Sequence, residues 1–319
     1  MIIVTGSNGF IGSNLIKKLN NQGYSNILAV DDLSKTENLS NIEDCEIKDL
    51  IDLKQFSTQL IKNDLSTKEI DYVFHQGACS DTTESNIDFL LQNNYYYSKN
   101  ILNFCASKHI PFVYASSASV YGNELTFQEN SRNESPVNLY AYTKYIFDQF
   151  VRKKINKISS QIVGLRYFNV YGPREAHKKR MASVALHLHQ QLLNGQEVKL
   201  FGGFDGYESG QQSRDFVYID DVVDVNLWFM ENNHISGIFN VGSGKSQTFN
   251  EVAEAVIKWN KKGRITYIPF PDSLKGSYQS FTKADISKLR RVGYKKPFRD
   301  VQSGIKNYLD TFSSWPKND

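Results

Sequence analysis

Apolar and polar residues fall along this chain in blocks with two different periods. Ile2-Ile3-Val4, Asn26–Val30, Tyr72–His75, Phe112–Ala115 and Gln161–Leu165 are short, continuous and rich in β-branched or aromatic residues. Runs of that kind read as strands covered on both faces, not as strands with one wet side. Between them apolar residues recur at helical spacing, first at Phe10, Ile11, Leu15, Ile16 and Leu19, then through Phe89–Lys108 and Tyr140–Lys154. Strands that alternate with amphipathic helices predict an α/β fold with a doubly wound parallel sheet. From about Tyr171 the pattern loosens. Phe201–Ser213, rich in Gly, Ser and Gln, reads as a loop; Asp215–Val223 and Ile238–Val241 read as returns to the main sheet; Glu251–Asn260 and Phe298–Phe312 read as helices. The expected organisation is one domain over residues 1–170, with returns near 215–242, and a smaller, discontinuous α/β lobe built mainly from 171–214 and 243–319.

The first strand runs straight into Gly6, Gly9 and Gly12 and then into the first helix. Strand, glycine turn and helix in that order form the dinucleotide-binding arrangement of a Rossmann-type sheet. The first glycine allows a sharp turn, the second lets a pyrophosphate approach the backbone, and the third lets the helix pack close to the strand. The helix start then offers free N–H groups and the positive end of its dipole to the phosphates. Asp31, at the end of the second strand, stands where an acid would meet the adenosine ribose, which favours NAD. Lys35 close by could instead meet a 2′-phosphate, so the residues alone leave NAD and NADP both open.

Tyr140 and Lys144 are four residues apart in a helical stretch, which places a phenol and an ammonium on one face. A nearby positive charge is expected to lower the phenol pKa and make Tyr140 a usable base near neutral pH. Ser117 follows a predicted strand, where loops at the carboxyl ends of a parallel sheet form the binding crevice. Its hydroxyl can bond the oxygen being oxidised.

Composition narrows the field. The 319 residues are 40% hydrophobic and 13% aromatic, enough for a large core. The net charge of +3 comes without a dense basic tract, which argues against a nucleic-acid partner. The cysteines, Cys45, Cys79 and Cys105, form no CxxC pair and suit a reducing compartment. No metal-ligand cluster is expected, no apolar run approaches membrane-spanning length, and the chain opens directly in its first strand, so a cytoplasmic protein without a leader is expected.

Four stretches taken together resemble the extended short-chain dehydrogenases/reductases that act on nucleotide sugars: the glycine turn, Ala115–Gly122, Tyr140–Lys144 and Arg166–Arg174. Within that branch the chain is similar, nearly end to end, to the ADP-glyceromanno-heptose 6-epimerases. Gln76–Ser80, Tyr167–Glu175, His177-Lys178, Met181–Val184, Arg214–Tyr218, Asn226–Phe229 and Tyr267–Asp272 carry that likeness. The resemblance implies a redox-neutral epimerisation at C6 of an ADP-heptose that feeds lipopolysaccharide, with NADP as cofactor and NAD as a possible substitute. It also implies a homo-oligomer, a pentamer in that family. Tyr140 and Lys178 would be the acid/base groups, aided by Ser117 and Lys144. The cofactor would meet Gly6, Gly9, Phe10, Ile11, Gly12, Asp31, Asp32, Gln76, Gly77, Ala78, Cys79, Ser80, Asn93, Lys144, Val170 and Lys178. The sugar nucleotide would meet Ser117, Asn169, Arg180, His187, Phe201, Gly202, Gly203, Phe204, Arg214 and Tyr278. Asn38 and Leu53 stand where the family often carries lysine, and Gly206–Gln212 is longer than in relatives. The competing readings are a UDP-hexose 4-epimerase, which has no need of Lys178, and a dinucleotide-sensing protein without turnover.

Overall fold

The structure, a computed structural model, describes residues 1–34, 36–62, 64–67, 69–275 and 278–313. The first six strands are β1 (Ile2–Thr5), β2 (Ile27–Asp31), β3 (Asp49–Asp52), β4 (Tyr72–His75), β5 (Phe112–Ser117) and β6 (Ile162–Tyr167). The later ones are β7 (Asn169–Tyr171), β8 (Glu197–Phe201), β9 (Ser213–Arg214), β10 (Phe216–Tyr218), β11 (Gly237–Val241), β12 (Gln247–Thr248) and β13 (Arg264–Ile268). Seven of them form one all-parallel sheet in the order β11-β6-β5-β4-β1-β2-β3. Strand order reverses between β1 and β4, the switch point at which doubly wound sheets bind ligands.

The helices are α1 (Phe10–Asn21), α2 (Leu53–Lys62), α3 (Ile87–Leu90), α4 (Tyr97–Ser107), α5 (Leu139–Lys154), α6 (Val184–Asn194), α7 (Ile219–Glu231), α8 (Phe249–Asn260), α9 (Ser287–Arg291) and α10 (Val301–Ser313). The period-two side-chain alternation of β1 divides the core in two. Ile2 and Val4 face one apolar cluster with Leu15 and Ile16 of α1 and Val222 and Val225 of α7. Ile3 faces the other with Phe56 of α2, Ile101 of α4 and Phe147 of α5. The first cluster runs on into α6, α8 and α10, so the later segments share the sheet's core.

The parallel sheet expected from the pattern is present. One segment differs. Of the two expected returns only Gly237–Val241 joins the main sheet; within Asp215–Val223, Phe216–Tyr218 pairs with β7 and Ile219 opens α7. Asp220 and Asp221 fall in the first helical turn, where the helix dipole favours acids and so promotes a helix start. Two more parallel pairs, β13 with β8 and β10 with β7, and the antiparallel pair β12 with β9 lie outside the main sheet.

Candidate active site

The glycine turn follows from backbone geometry. Gly6 has φ +66°, and a Cβ there would lie 2.6 Å from the Gly77 nitrogen of the loop after β4. A Cβ on Gly12 would lie 2.0 Å from the Gly6 carbonyl oxygen, so the helix packs against the turn only with glycine there. Gly9 caps α1 without any side-chain hydrogen bond, and no acid sits in the first turn. The leading N–H groups of α1 are thus left for an anion. The Asn8 N–H donates to Asp31 Oδ2 at 2.7 Å, which fixes the acid of β2 against the turn. The Asn8 side-chain amide nitrogen is buried without a partner among the described residues. A turn opened by Gly6, Gly9 and Gly12, an orphan donor and a carboxylate at the end of β2 suit a dinucleotide.

Buried hydrogen bonds hold the second wall. Thr5 Oγ1 and His75 Nδ1 share a 2.6 Å bond, and His75 Nε2 meets Ser98 Oγ at 2.8 Å. Burial pulls the His75 pKa down to about 3, so the ring is neutral. Asn94 lies in the π-helical turn Leu91–Tyr96. Its Oδ1 accepts the Cys79 N–H at 2.8 Å, and its Nδ2 donates to the Cys79 carbonyl at 3.0 Å and to Thr143 Oγ1 at 3.1 Å. It ties the loop Gln76–Ser80 to α5. Sequence reasoning missed Asn94, because the widened turn that aims it inward has no pattern of its own. Asn93 instead bonds the Phe89 carbonyl in its own helical run, and the Gln76 side chain turns inward to Asn226 and Tyr167.

Ser117, Tyr140 and Lys144 come together. The Ser117 side chain lies close enough to Tyr140 to act on its phenol, and the Lys144 ammonium is 6.0 Å from the Tyr140 ring centroid. Lys144 Nζ donates to the Ala115 carbonyl at 2.9 Å. The expected lowering of the phenol pKa does not occur in the protein alone. Burial raises it above 10.0, the Ser117 side chain works against the rise, and nearby Cys79 adds to it. The ammonium itself is destabilised: burial lowers Lys144 to about 8, opposed by Asp148 one turn further along α5. Asp148 is buried and accepts from Tyr114, Ser116 and Arg166 at 2.8–3.0 Å.

Lys178 is brought to the head of α1 by straps from the first βαβ unit. Asn14 of α1 donates to the Pro173 carbonyl at 2.9 Å; Asn41 donates to the Asn8 carbonyl at 2.9 Å and to the Arg174 carbonyl at 3.2 Å. The Arg174 guanidinium bonds both oxygens of Asp44, at 2.7 and 2.8 Å. Buried Glu175 accepts from Ser183 N at 2.7 Å and Ser183 Oγ at 2.6 Å, which closes the other end. So held, the Lys178 Nζ lies 5.2 Å from the Phe10 ring centroid at the head of α1. Burial lowers its pKa, with Glu175 opposing. Arg180 reaches across to Asp81 at 3.1 Å, which links this loop to the one after β4.

The substrate-side residues gather around Arg214. This guanidinium is 7% exposed and, among the described residues, has no carboxylate partner. It donates to the Ser213 carbonyl at 3.2 Å and lies 4.8 Å from the Tyr278 ring centroid. Burial lowers its pKa. Tyr278 meets Phe270 edge-on at 5.1 Å, and Phe270 stacks on Phe204 at 4.1 Å. Gly202 and Gly203 carry the loop between Phe201 and Phe204, pinned by the Gly202 N–H to the Ile268 carbonyl at 2.8 Å. Asn169 is exposed at the start of β7, where its Oδ1 accepts from Thr282 Oγ1 at 3.5 Å. His187 is placed elsewhere: it opens on a groove of about 730 Å³ lined by Gln190, Gln191, Asn194 and Lys199, none of them in the Arg214 cluster. Lys35 lies outside the described residues, as does the side chain of Asn38. Among the described residues no His, Cys, Asp and Glu group could hold a metal ion, and no helix is long and apolar enough to cross a membrane.

The model of the NAD dependent epimerase/dehydratase family matches residues 2–242. The chain belongs to that family. Among solved structures it is similar to the ADP-L-glycero-D-manno-heptose-6-epimerase of Helicobacter pylori, at 35% identity over 98% of this chain and 96% of that one, with a TM-score of 0.83. It is also similar to the UDP-N-acetylglucosamine 4-epimerase of Methanobrevibacter ruminantium, at 27% identity over 98% of each chain and a TM-score of 0.82. The UDP-glucuronic acid 4-epimerase of Bacillus cereus, solved with UDP-glucuronic acid and NAD, matches at 25% identity over 98% of each chain and a TM-score of 0.80. Membership in the epimerase/dehydratase family makes the protein a nucleotide-sugar enzyme of the epimerase kind. The near-equal scores leave the choice of sugar to the site residues.

Proposed function

We propose that the protein interconverts ADP-D-glycero-D-manno-heptose and ADP-L-glycero-D-manno-heptose by inverting C6 through a 6-keto sugar. The observation that carries this reading is the place of Lys178. A second titratable group with a lowered pKa is strapped over the head of α1, where a one-base 4-epimerase needs none. A dinucleotide held by the glycine turn and Asp31 would supply reversible hydride transfer at the sugar carbon. NADP⁺ follows from the heptose-epimerase likeness, and the acids Asp31 and Asp32 suit NAD⁺ as a substitute. Tyr140 holds or moves the proton of the reacting hydroxyl on one face, with Ser117 orienting the oxygen. Lys178 does the same on the other face, so the keto sugar can be reduced from either side. Lys144 positions the ribose end, and Arg214 takes the diphosphate in a charge-assisted bond. The product serves lipopolysaccharide assembly, and a homo-oligomer such as a pentamer is the working form.

The test is conversion of ADP-D-glycero-D-manno-heptose without added cofactor by wild type, Tyr140→Phe and Lys178→Met. Wild-type conversion with losses of about 10²–10⁴ in kcat for each variant supports the two-base reading. Conversion of UDP-hexoses instead, with Lys178→Met unaffected, assigns the chain to 4-epimerisation. Dinucleotide binding without turnover of any sugar nucleotide assigns it to sensing.

A further inference from the structure

Two neighbouring strands of one small sheet deliver aromatic residues to the same point. Strands β8 and β13 run parallel with Phe201 in register with Ile268, so Phe201 and, two residues past Ile268, Phe270 leave the sheet at the same end. The loop after β8 is pinned by reciprocal N–H···O bonds of 3.1 Å between Phe204 and Tyr207 and by the Gly210 N–H to the Phe201 carbonyl at 3.1 Å. This returns Phe204 onto Phe270, with ring centroids 4.1 Å apart and planes 14° apart. Phe201 meets Phe270 edge-on at 5.4 Å, and Tyr278 does so at 5.1 Å. All four rings are only half-buried. Tyr278 in turn carries Arg214 on its face, so the aromatic patch adjoins a buried cation that has no carboxylate partner among the described residues.

A planar aromatic ligand that carries an anionic group on a linker fits that pairing, and a nucleoside diphosphate, with its base, ribose and diphosphate, is such a ligand. The patch is two rings deep at the Phe204–Phe270 stack, and stacking on an aromatic ring gains with the overlapped area. We infer that Phe270 is a specificity-determining residue, the ring that makes this site prefer the two-ring base of ADP over the one-ring base of UDP. Phe270 is the hub of the patch, since it alone contacts Phe201, Phe204 and Tyr278 among the ring pairs of the described residues. This inference rests on the ADP-sugar reading above.

The experiment is calorimetric titration of ADP and of UDP into wild type, Phe270→Leu and Phe270→Tyr, with NADP⁺ titration as the control for an intact fold. The expected result is a wild type that binds ADP more tightly. Phe270→Leu should then weaken ADP about tenfold and UDP less than about threefold, while Phe270→Tyr keeps the wild-type ratio. A wild type that prefers ADP by a ratio Phe270→Leu leaves unchanged overturns the role of Phe270 and leaves the ADP-sugar reading standing. A wild type that prefers UDP overturns that reading and the inference with it. Should Phe270→Leu lose the NADP⁺ control, Phe270→Met, which keeps the volume without the ring, reads the same ratio.

Discussion

Replacing Arg214 with methionine should make the protein more stable and a poorer binder at once. The free protein holds this guanidinium at 7% exposure with one carbonyl at 3.2 Å and the rings of Tyr278 and Phe249 at 4.8 and 5.9 Å. Taking an ion out of water costs several kcal/mol after relaxation. One hydrogen bond to a charged group and a desolvated cation–π contact return about 2–4 kcal/mol between them. The lowered pKa of Arg214 has the same sign, since burial disfavours its charged form. Methionine of similar length removes the penalty and keeps most of the packing, so unfolding free energy should rise by about 1–2 kcal/mol. Affinity for ADP should fall by about 2–5 kcal/mol, which is about 30-fold to several thousandfold in Kd. Urea midpoints of the ligand-free proteins give the first quantity and calorimetric titration of ADP the second. ADP should also raise the melting temperature of wild type and leave that of Arg214→Met unmoved. A variant that loses more than about 1 kcal/mol of stability while binding ADP normally would show that Arg214 is a packing residue, and the reasoning would be wrong.

Lys144 gives a pH test. Its folded pKa of about 8 lies below the ordinary 10.5, so the buried charge destabilises the fold most below pH 8, and the penalty fades as pH rises toward 10.5. The stability advantage of Lys144→Met over wild type in urea should therefore be largest at pH 7 and shrink at pH 9 and 10; a difference that is flat with pH refutes the assignment. Asn94→Ala removes the bonds that hold both backbone groups of Cys79 and should cost about 2–4 kcal/mol of stability while weakening dinucleotide binding. Equal melting temperatures and equal NADP⁺ affinities for variant and wild type would rule that out.

The parts of this site that the sequence made legible are those whose geometry is local. A glycine turn needs only its neighbours to declare itself, and Tyr140 with Lys144 needs only the helical repeat. Ser117 needed only its place after a strand. The rest depends on contacts between residues far apart in the chain. Lys178 read by itself is one of three adjacent bases, and it becomes a site candidate because Asn14 and Asn41, more than 130 residues earlier, hold its loop. The electrostatics of the Tyr140 pair went against expectation for a related reason. Helical spacing fixes which side chains are near one another, whereas burial, with Asp148 and Cys79 nearby, decides which charge is favoured. Asp215–Val223 was misread because three of its residues do form a strand, paired with β7 and not with the main sheet.

The two sides of the cleft differ in how their polar groups are satisfied, and that difference bears on specificity. On the dinucleotide side most buried polar groups have protein partners: Thr5 with His75, Asn94 with Cys79, Asp31 with Asn8. Groups satisfied by the protein itself need no rearrangement when a ligand arrives. On the substrate side the cation at Arg214 lacks a counterion among the described residues, and the rings beside it are half-covered. Groups left in that state are completed by the ligand, so they determine which ligand binds. Global similarity therefore weighs mainly the part of the chain that family members share, and TM-scores of 0.83 and 0.82 for enzymes of different sugars are the expected result. On the proposed function, the choice of nucleotide falls to Arg214, Phe270 and Tyr278, and service of one sugar face or both falls to Lys178, so substitutions there should change specificity while the shared fold stays as it is.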